Sequence, residues 1–168
     1  MTKRIAAIVM ALLACASIAS AQGGSTESQL GAYVGKWTID GTGSAGKVSG
    51  SETCAWFSGG PSLVCRKTTQ DTVGETDSIA ILSFDAAKKQ YVLHGTDNTG
   101  AVTTLTGTFA ASTWKWLGEV RTVDGRVTAT RYTVRDMTGG SRSLDIETQA
   151  KGGTWLRASG ATYKRAPR

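Results

Sequence analysis

The stretch Ser51–Arg66, S-E-T-C-A-W-F-S-G-G-P-S-L-V-C-R, constrains the fold of this chain more than any other. Two short apolar-rich runs flank Ser58-Gly59-Gly60-Pro61, and Gly-Gly before Pro between such runs reads as a hairpin turn. Folding the chain about Gly59-Gly60 sets Cys54 opposite Cys65, Trp56 opposite Leu63 and Glu52 opposite Lys67. Strand side chains alternate with period two, so all three pairs fall on one face. One register thus accommodates a disulfide, an apolar pair and an opposite-charge pair.

The rest of the chain reads as further strands. Lys36–Asp40 is the first, and Thr42–Gly46 is a Gly/Ser/Thr loop. Ser78–Phe84 and Gln90–Thr96 form a second hairpin in which Phe84 meets Tyr91, Leu82 meets Leu93 and Ala80 meets Gly95. Val102–Phe109 alternates with threonine, as a strand with one wet face does. Trp114–Thr122 follows, with Trp114, Trp116, Gly118 and Val120 on one face, Phe109 facing Trp114 and Gly107 beneath Trp116. Asp124-Gly125 reads as a two-residue turn before the strand Arg126–Arg135. Asp136–Arg142 reads as a loop, Ser143–Gln149 as a strand and Thr154–Arg165 as the last strand. Before the first strand, Leu30, Tyr33 and Val34 have helical spacing after Ser25 and Ser28, and Gly35 ends that helix. Proline occurs only at Pro61 and Pro167, outside strand interiors. The reading is all-β: a short N-terminal helix and about ten antiparallel strands, closed into a barrel because closure removes unpaired edges.

The first 21 residues carry an export pattern. Lys3-Arg4 form a basic start, Ile5–Ala16 is nearly all apolar, and Ala19-Ser20-Ala21 is a cleavage site before Gln22. An alternative is open: Leu12-Leu13-Ala14-Cys15 resembles a lipobox, with Cys15 lipidated. Residues 22–168 then form one domain with no transmembrane segment, periplasmic or secreted, or membrane-anchored if Cys15 is lipidated. Removing the cations Lys3 and Arg4 takes the formal charge from +6 to +4. The remaining cations are scattered among acids, which argues against nucleic acid as a partner. Export leaves Cys54 and Cys65 in an oxidising compartment, where one disulfide is expected.

Several phrases together resemble a known family. They are V-G-K-W-T from Val34, G-S-E-T-C-A-W-F-S-G-G-P-S-L-V-C from Gly50 and I-L-S-F-D-A-A-K-K-Q-Y from Ile81. Further on come S-T-W-K-W from Ser112, T-R-Y-T-V from Thr130, G-G-T-W from Gly152 and the ending Tyr163-Lys164-Arg165. In order and spacing the chain resembles bacterial secreted domain-of-unknown-function family 1579. The resemblance implies an exported lipocalin-like antiparallel barrel and assigns no activity and no catalytic residue. The chain departs from the usual pattern at Asp97-Asn98-Thr99-Gly100. Gly35-Lys36-Trp37 also resembles the lipocalin Gly-x-Trp opening, which implies Arg165 as the arginine stacked over Trp37.

The candidate ligand-binding residues are the aromatics and basic groups placed within strands: Trp56, Tyr91, His94, Trp114, Trp116, Arg131, Trp155 and Arg157. His94 is the one histidine. It faces Ile81 in the second hairpin and has no second histidine or free cysteine to complete a zinc site. No nucleophile elbow is present, and Asp97–Gly100 lacks the full EF-hand pattern. Arg131 and Arg157 bind an anionic ligand group only if they point inward. The leading expectation is a monomeric, non-enzymatic binder of a small apolar or amphipathic ligand, with no cofactor or metal. The alternatives are a hydrolase or isomerase working in the barrel mouth, and a structural module of the cell envelope.

Overall fold

The computed structural model describes residues 29–58, 60–137 and 140–167. The export pattern, Cys15, the cleavage site, the caps Ser25 and Ser28, and Gly59 lie outside the described residues. Of the expected N-terminal helix, the described residues show Gln29 and Leu30 helical and then a 3-10 helix, Gly31–Tyr33, followed by Gly35 with φ 130°.

Ten strands follow: β1 (Gly35–Gly43), β2 (Gly46–Trp56), β3 (Leu63–Gln70), β4 (Glu75–Asp85), β5 (Gln90–Asp97), β6 (Val102–Ala110), β7 (Thr113–Arg121), β8 (Val127–Met137), β9 (Ser141–Gln149) and β10 (Trp155–Arg165). Each pairs antiparallel with its sequence neighbour, and β10 pairs with β1 to close the barrel. The hairpin about residue 60 has the register read from sequence, Cys54↔Cys65, Trp56↔Leu63 and Glu52↔Lys67. A disulfide joins Cys54 to Cys65. The Phe84↔Tyr91 and Phe109↔Trp114 pairs are also as expected.

Three boundaries differ. The loop expected over Thr42–Gly46 is mostly strand, because β1 runs to Gly43 and β2 starts at Gly46. Just before it, glycine serves close approach: a Cβ on Gly41 would lie 2.4 Å from the Gly160 carbonyl oxygen. The Asp124-Gly125 connection is five residues long, with Thr122 N–H donating to Arg126 O and Gly125 N–H to Thr122 O. Of the two turn residues only Gly125 has a positive φ, whereas a two-residue type I′ turn needs two. Finally, β9 begins at Ser141, so Arg142 belongs to the barrel wall.

The interior is packed unevenly. The 3-10 helix plugs the end where β1, β3, β5, β7 and β9 begin. There Leu30, Tyr33, Leu63, Leu82, Tyr91, Leu105, Trp114 and Trp116 form one core. Trp114 stacks on Trp116 (centroids 5.6 Å apart, planes 10° apart) and meets Tyr33, Tyr91 and Phe109 at 4.7–5.4 Å. Each side chain buried this way contributes about 1.5–3 kcal/mol. Trp37, Ile39 and Tyr163 form a second cluster. Trp37 Nε1 donates to Tyr33 O (2.9 Å), and Arg165 lies 4.5 Å over the Trp37 ring, as the Gly-x-Trp likeness implied. The Arg165 guanidinium also donates to Val34 O (2.9 Å), tying the last strand to the plug.

Candidate functional site

Toward the opposite end, the inward positions are small or polar: Gly95, Ser78, Thr76, Thr69 and Thr103 line the walls with Ala80. They leave a cavity of about 200 Å³. Its apolar surface comes from Leu82, Leu93, Trp116, Val134 and Leu144, and Cys65 contributes the disulfide edge. The plugged end is its floor and the threonines are its mouth. The mouth's loops are stiffened by their own side chains: Asp97 Oδ1 accepts from Thr99 N–H (2.9 Å), Thr99 Oγ1 (2.5 Å) and Ala101 N–H (3.1 Å).

One buried cation dominates the floor. Arg142, 4% exposed, starts β9 and reaches across to β2, where its Nη2 donates to Glu52 Oε2. Moving a charge out of water costs several kcal/mol per ion, so such a cation needs both a counter-charge and further partners. The partners are aromatic. The guanidinium carbon lies 4.3 Å from the Trp37 ring centroid and 4.7 Å from those of Tyr33 and Tyr163, a cation–π cage. The cage does not satisfy every donor: Arg142 Nη1 is sealed from water without a hydrogen-bond partner. Lys67 lines the same cavity and faces Glu52 across the β2–β3 ladder. Glu52 nevertheless forms its ion pair with Arg142, and no ion pair engages Lys67 among the described residues. The Tyr33 hydroxyl accepts from Trp116 Nε1 (3.3 Å). Burial pushes the Tyr33 and Tyr163 phenols well above their ordinary range, against the opposing pull of Arg142. Both therefore stay protonated and keep an O–H to donate.

The residues singled out from sequence are dispersed. Trp116 lines the cavity. Tyr91 and Trp114 lie beneath it in the aromatic floor. Trp56 ends β2 half exposed beside Gly31 of the plug. His94 points outward and is exposed, between Ile81 and Thr104 of the flanking strands. Arg131 lies on the outer wall, gripping Glu147 with two bonds (2.6 and 2.7 Å) and covering Trp155 at 4.6 Å. Arg157 is also outside, 3.4 Å from Asp145. The cause on β10 is a bulge between Arg157 and Ser159, which shifts the register and turns Trp155 and Arg157 to the face opposite Tyr163. Sequence reasoning missed Arg142, Tyr33 and Tyr163. The Glu52–Lys67 pair read from the first hairpin was a signal of charge on the face that carries Cys54 and Cys65.

Glu52, Cys54 and Cys65 place one oxygen and two sulfurs within 4.8 Å of one another. Both sulfurs are bound in the disulfide, which leaves a single carboxylate already paired with Arg142, so this group does not make a metal centre. Among the described residues, no helix is long and apolar enough to cross a membrane.

Comparison with curated proteins gives no match. Among solved structures, the chain is similar to that of Rv2717c from M. tuberculosis, with a TM-score of 0.61 at 17% identity, covering 83% of this chain and 96% of that one. A de novo designed fluorescence-activating β-barrel aligns with a TM-score of 0.46 at 13% identity, over 81% of this chain and 95% of that one. The first likeness concerns the fold alone. A family model described as "Protein of unknown function (DUF1579)" matches residues 23–165. With its hairpins, closing arginine and ten-stranded barrel in the order that the sequence motifs imply, the chain belongs to the DUF1579 family.

Proposed function

We propose that this protein is a non-enzymatic binder that holds a small amphipathic molecule inside the barrel. The observation carrying this reading is the unequal filling of the interior: a dense aromatic floor beneath a cavity whose walls are glycine, alanine, serine and threonine. Binding sites are concave, largely apolar and furnished with a few placed polar groups, and this cavity has that composition. Its volume of about 200 Å³ is below the roughly 300–1,000 Å³ usual for drug-sized ligands, so the ligand is small. An exported, periplasmic or secreted location fits the export pattern of residues 1–21 and the Cys54–Cys65 disulfide.

The test uses 3-phenylpropan-1-ol followed by two-dimensional amide and indole NMR. Saturable shifts centred on Trp116, Leu82 and Leu93, abolished in Ala80→Phe, are expected. Shifts that never saturate, or that persist unchanged with the cavity filled, would overturn the reading.

A further inference from the structure

The cations facing the cavity are incompletely paired. Arg142 and Lys67 line it together with Glu52, whose carboxylate is committed to Arg142, while Asp136, opposite Arg142 on β8, is exposed and lies outside the lining. The other lining carboxylate, Asp97, is committed to its own turn. Lys67 is left without an ion pair among the described residues. The donor inventory agrees. Arg142 Nη1 has no acceptor, and a buried unsatisfied donor on a charged group costs more than a neutral one. The Tyr33 and Tyr163 phenols face the same space.

Resting on the cavity reading above, we propose that the ligand is a small organic monocarboxylate, its carboxylate between Lys67 and Arg142 and its apolar body against Leu82, Leu93, Trp116, Val134 and Leu144. A carboxylate accepts from a guanidinium edge and an ammonium together. Because water does not reach Nη1 in this state, the carboxylate draws the guanidinium a short way toward the cavity while Nη2 keeps Glu52. The neutral phenols then serve as further donors.

The experiment compares 3-phenylpropanoate, its isosteric amide and 3-phenylpropan-1-ol by titration calorimetry and NMR on the full chain at neutral pH. The acid is expected to bind roughly ten- to a hundred-fold more tightly than the amide, the range of a charge-assisted hydrogen bond. Lys67→Met leaves the Arg142–Glu52 pair intact and is expected to reduce that preference several-fold without shifting the alcohol's affinity. Arg142→Met with Glu52→Gln removes both buried charges at once, avoids an orphaned carboxylate, and is expected to abolish the preference. Equal binding of acid and amide in the cavity would overturn the carboxylate assignment and leave the cavity reading standing. Failure of all three compounds to bind would overturn both. A preference that survives the double variant would show that the acid binds elsewhere.

Discussion

Gly107 sits on β6 opposite Trp116, and the packing there is specific enough to be tested by one methyl group. A Cβ at position 107 would lie 2.5 Å from Trp116 Cε3, 2.7 Å from Cδ2 and 2.9 Å from Cζ3. These are ring atoms, not the end of a flexible chain. The ring is held by its neighbours: it stacks on Trp114, is 2% exposed, and is fixed through Nε1 by the Tyr33 hydroxyl. Overpacking of this kind costs about 1–3 kcal/mol, while replacing glycine by alanine within a strand returns roughly 0.5–1 kcal/mol. Gly107→Ala is therefore expected to destabilise by up to about 2.5 kcal/mol, a fall in Tm of up to about 9 °C for a domain of this size. Gly60→Ala is the control, because a Cβ there meets nothing within 4 Å, and its Tm should hold steady or rise slightly. Chemical and thermal unfolding followed by near-UV circular dichroism supply the readout. A double-mutant cycle with Trp116→Leu should show that most of the loss disappears once the ring is gone. If Gly107→Ala melts at or above the wild type with an unchanged tryptophan signal, the claim that the ring is fixed fails.

Two further predictions concern the disulfide and the tyrosines. The Cys54–Cys65 bond spans a sequence separation of 11, for which chain entropy gives about 3 kcal/mol. Cys54→Ala with Cys65→Ala should lower Tm by about 10 °C with the far-UV spectrum retained, and an unchanged melt would refute the contribution assigned to the bond. All four tyrosines are held above the ordinary range, in each case chiefly by burial. A folded pKa above the unfolded one means their contribution is whole below about pH 10 and is lost as pH rises beyond it. Tyrosinate absorbance should thus lag that of the guanidinium-unfolded chain and appear together with alkaline unfolding. A full tyrosinate signal near pH 10 from a chain that is still folded would contradict the burial described.

The fold was legible wherever independent signals agreed on one register. Cys54/Cys65, Trp56/Leu63 and Glu52/Lys67 all require the same hairpin, and Gly107 under Trp116 follows from pairing Phe109 with Trp114. The site was less legible, for two physical reasons. Composition hid Arg142: Gly139-Gly140-Ser141-Arg142-Ser143 has the makeup of a turn, yet β9 starts within it. The facing of Trp155 and Arg157 stayed open at the sequence level: counting back by twos from inward Tyr163 reaches both, and the bulge at Arg157–Ser159 reverses their facing. Alternation likewise gives two faces for β8 without saying which is inner. The ladder answers this by setting Arg131 beside Glu147 on the outside and Val134 beside Leu144 within.

Nine of the ten strand pairings join neighbours in sequence, and the tenth joins Trp37 to Arg165. The meander can therefore zip up through short hairpins, but the ring waits for the last segment of the chain to arrive. Closing over so long a separation carries a large loop-entropy cost and belongs late on the folding path. Until then β1 and β9 each present a bare row of amides and carbonyls, the template on which another chain can dock. The Arg165 guanidinium on Trp37 and Val34 O, with Ala166 N–H donating to Lys36 O (2.9 Å), fastens that seam. Those few terminal residues thus act as a kinetic clasp. Their loss would show itself less as a gap in the wall than as a growing fraction of molecules that find each other before they find their own first strand.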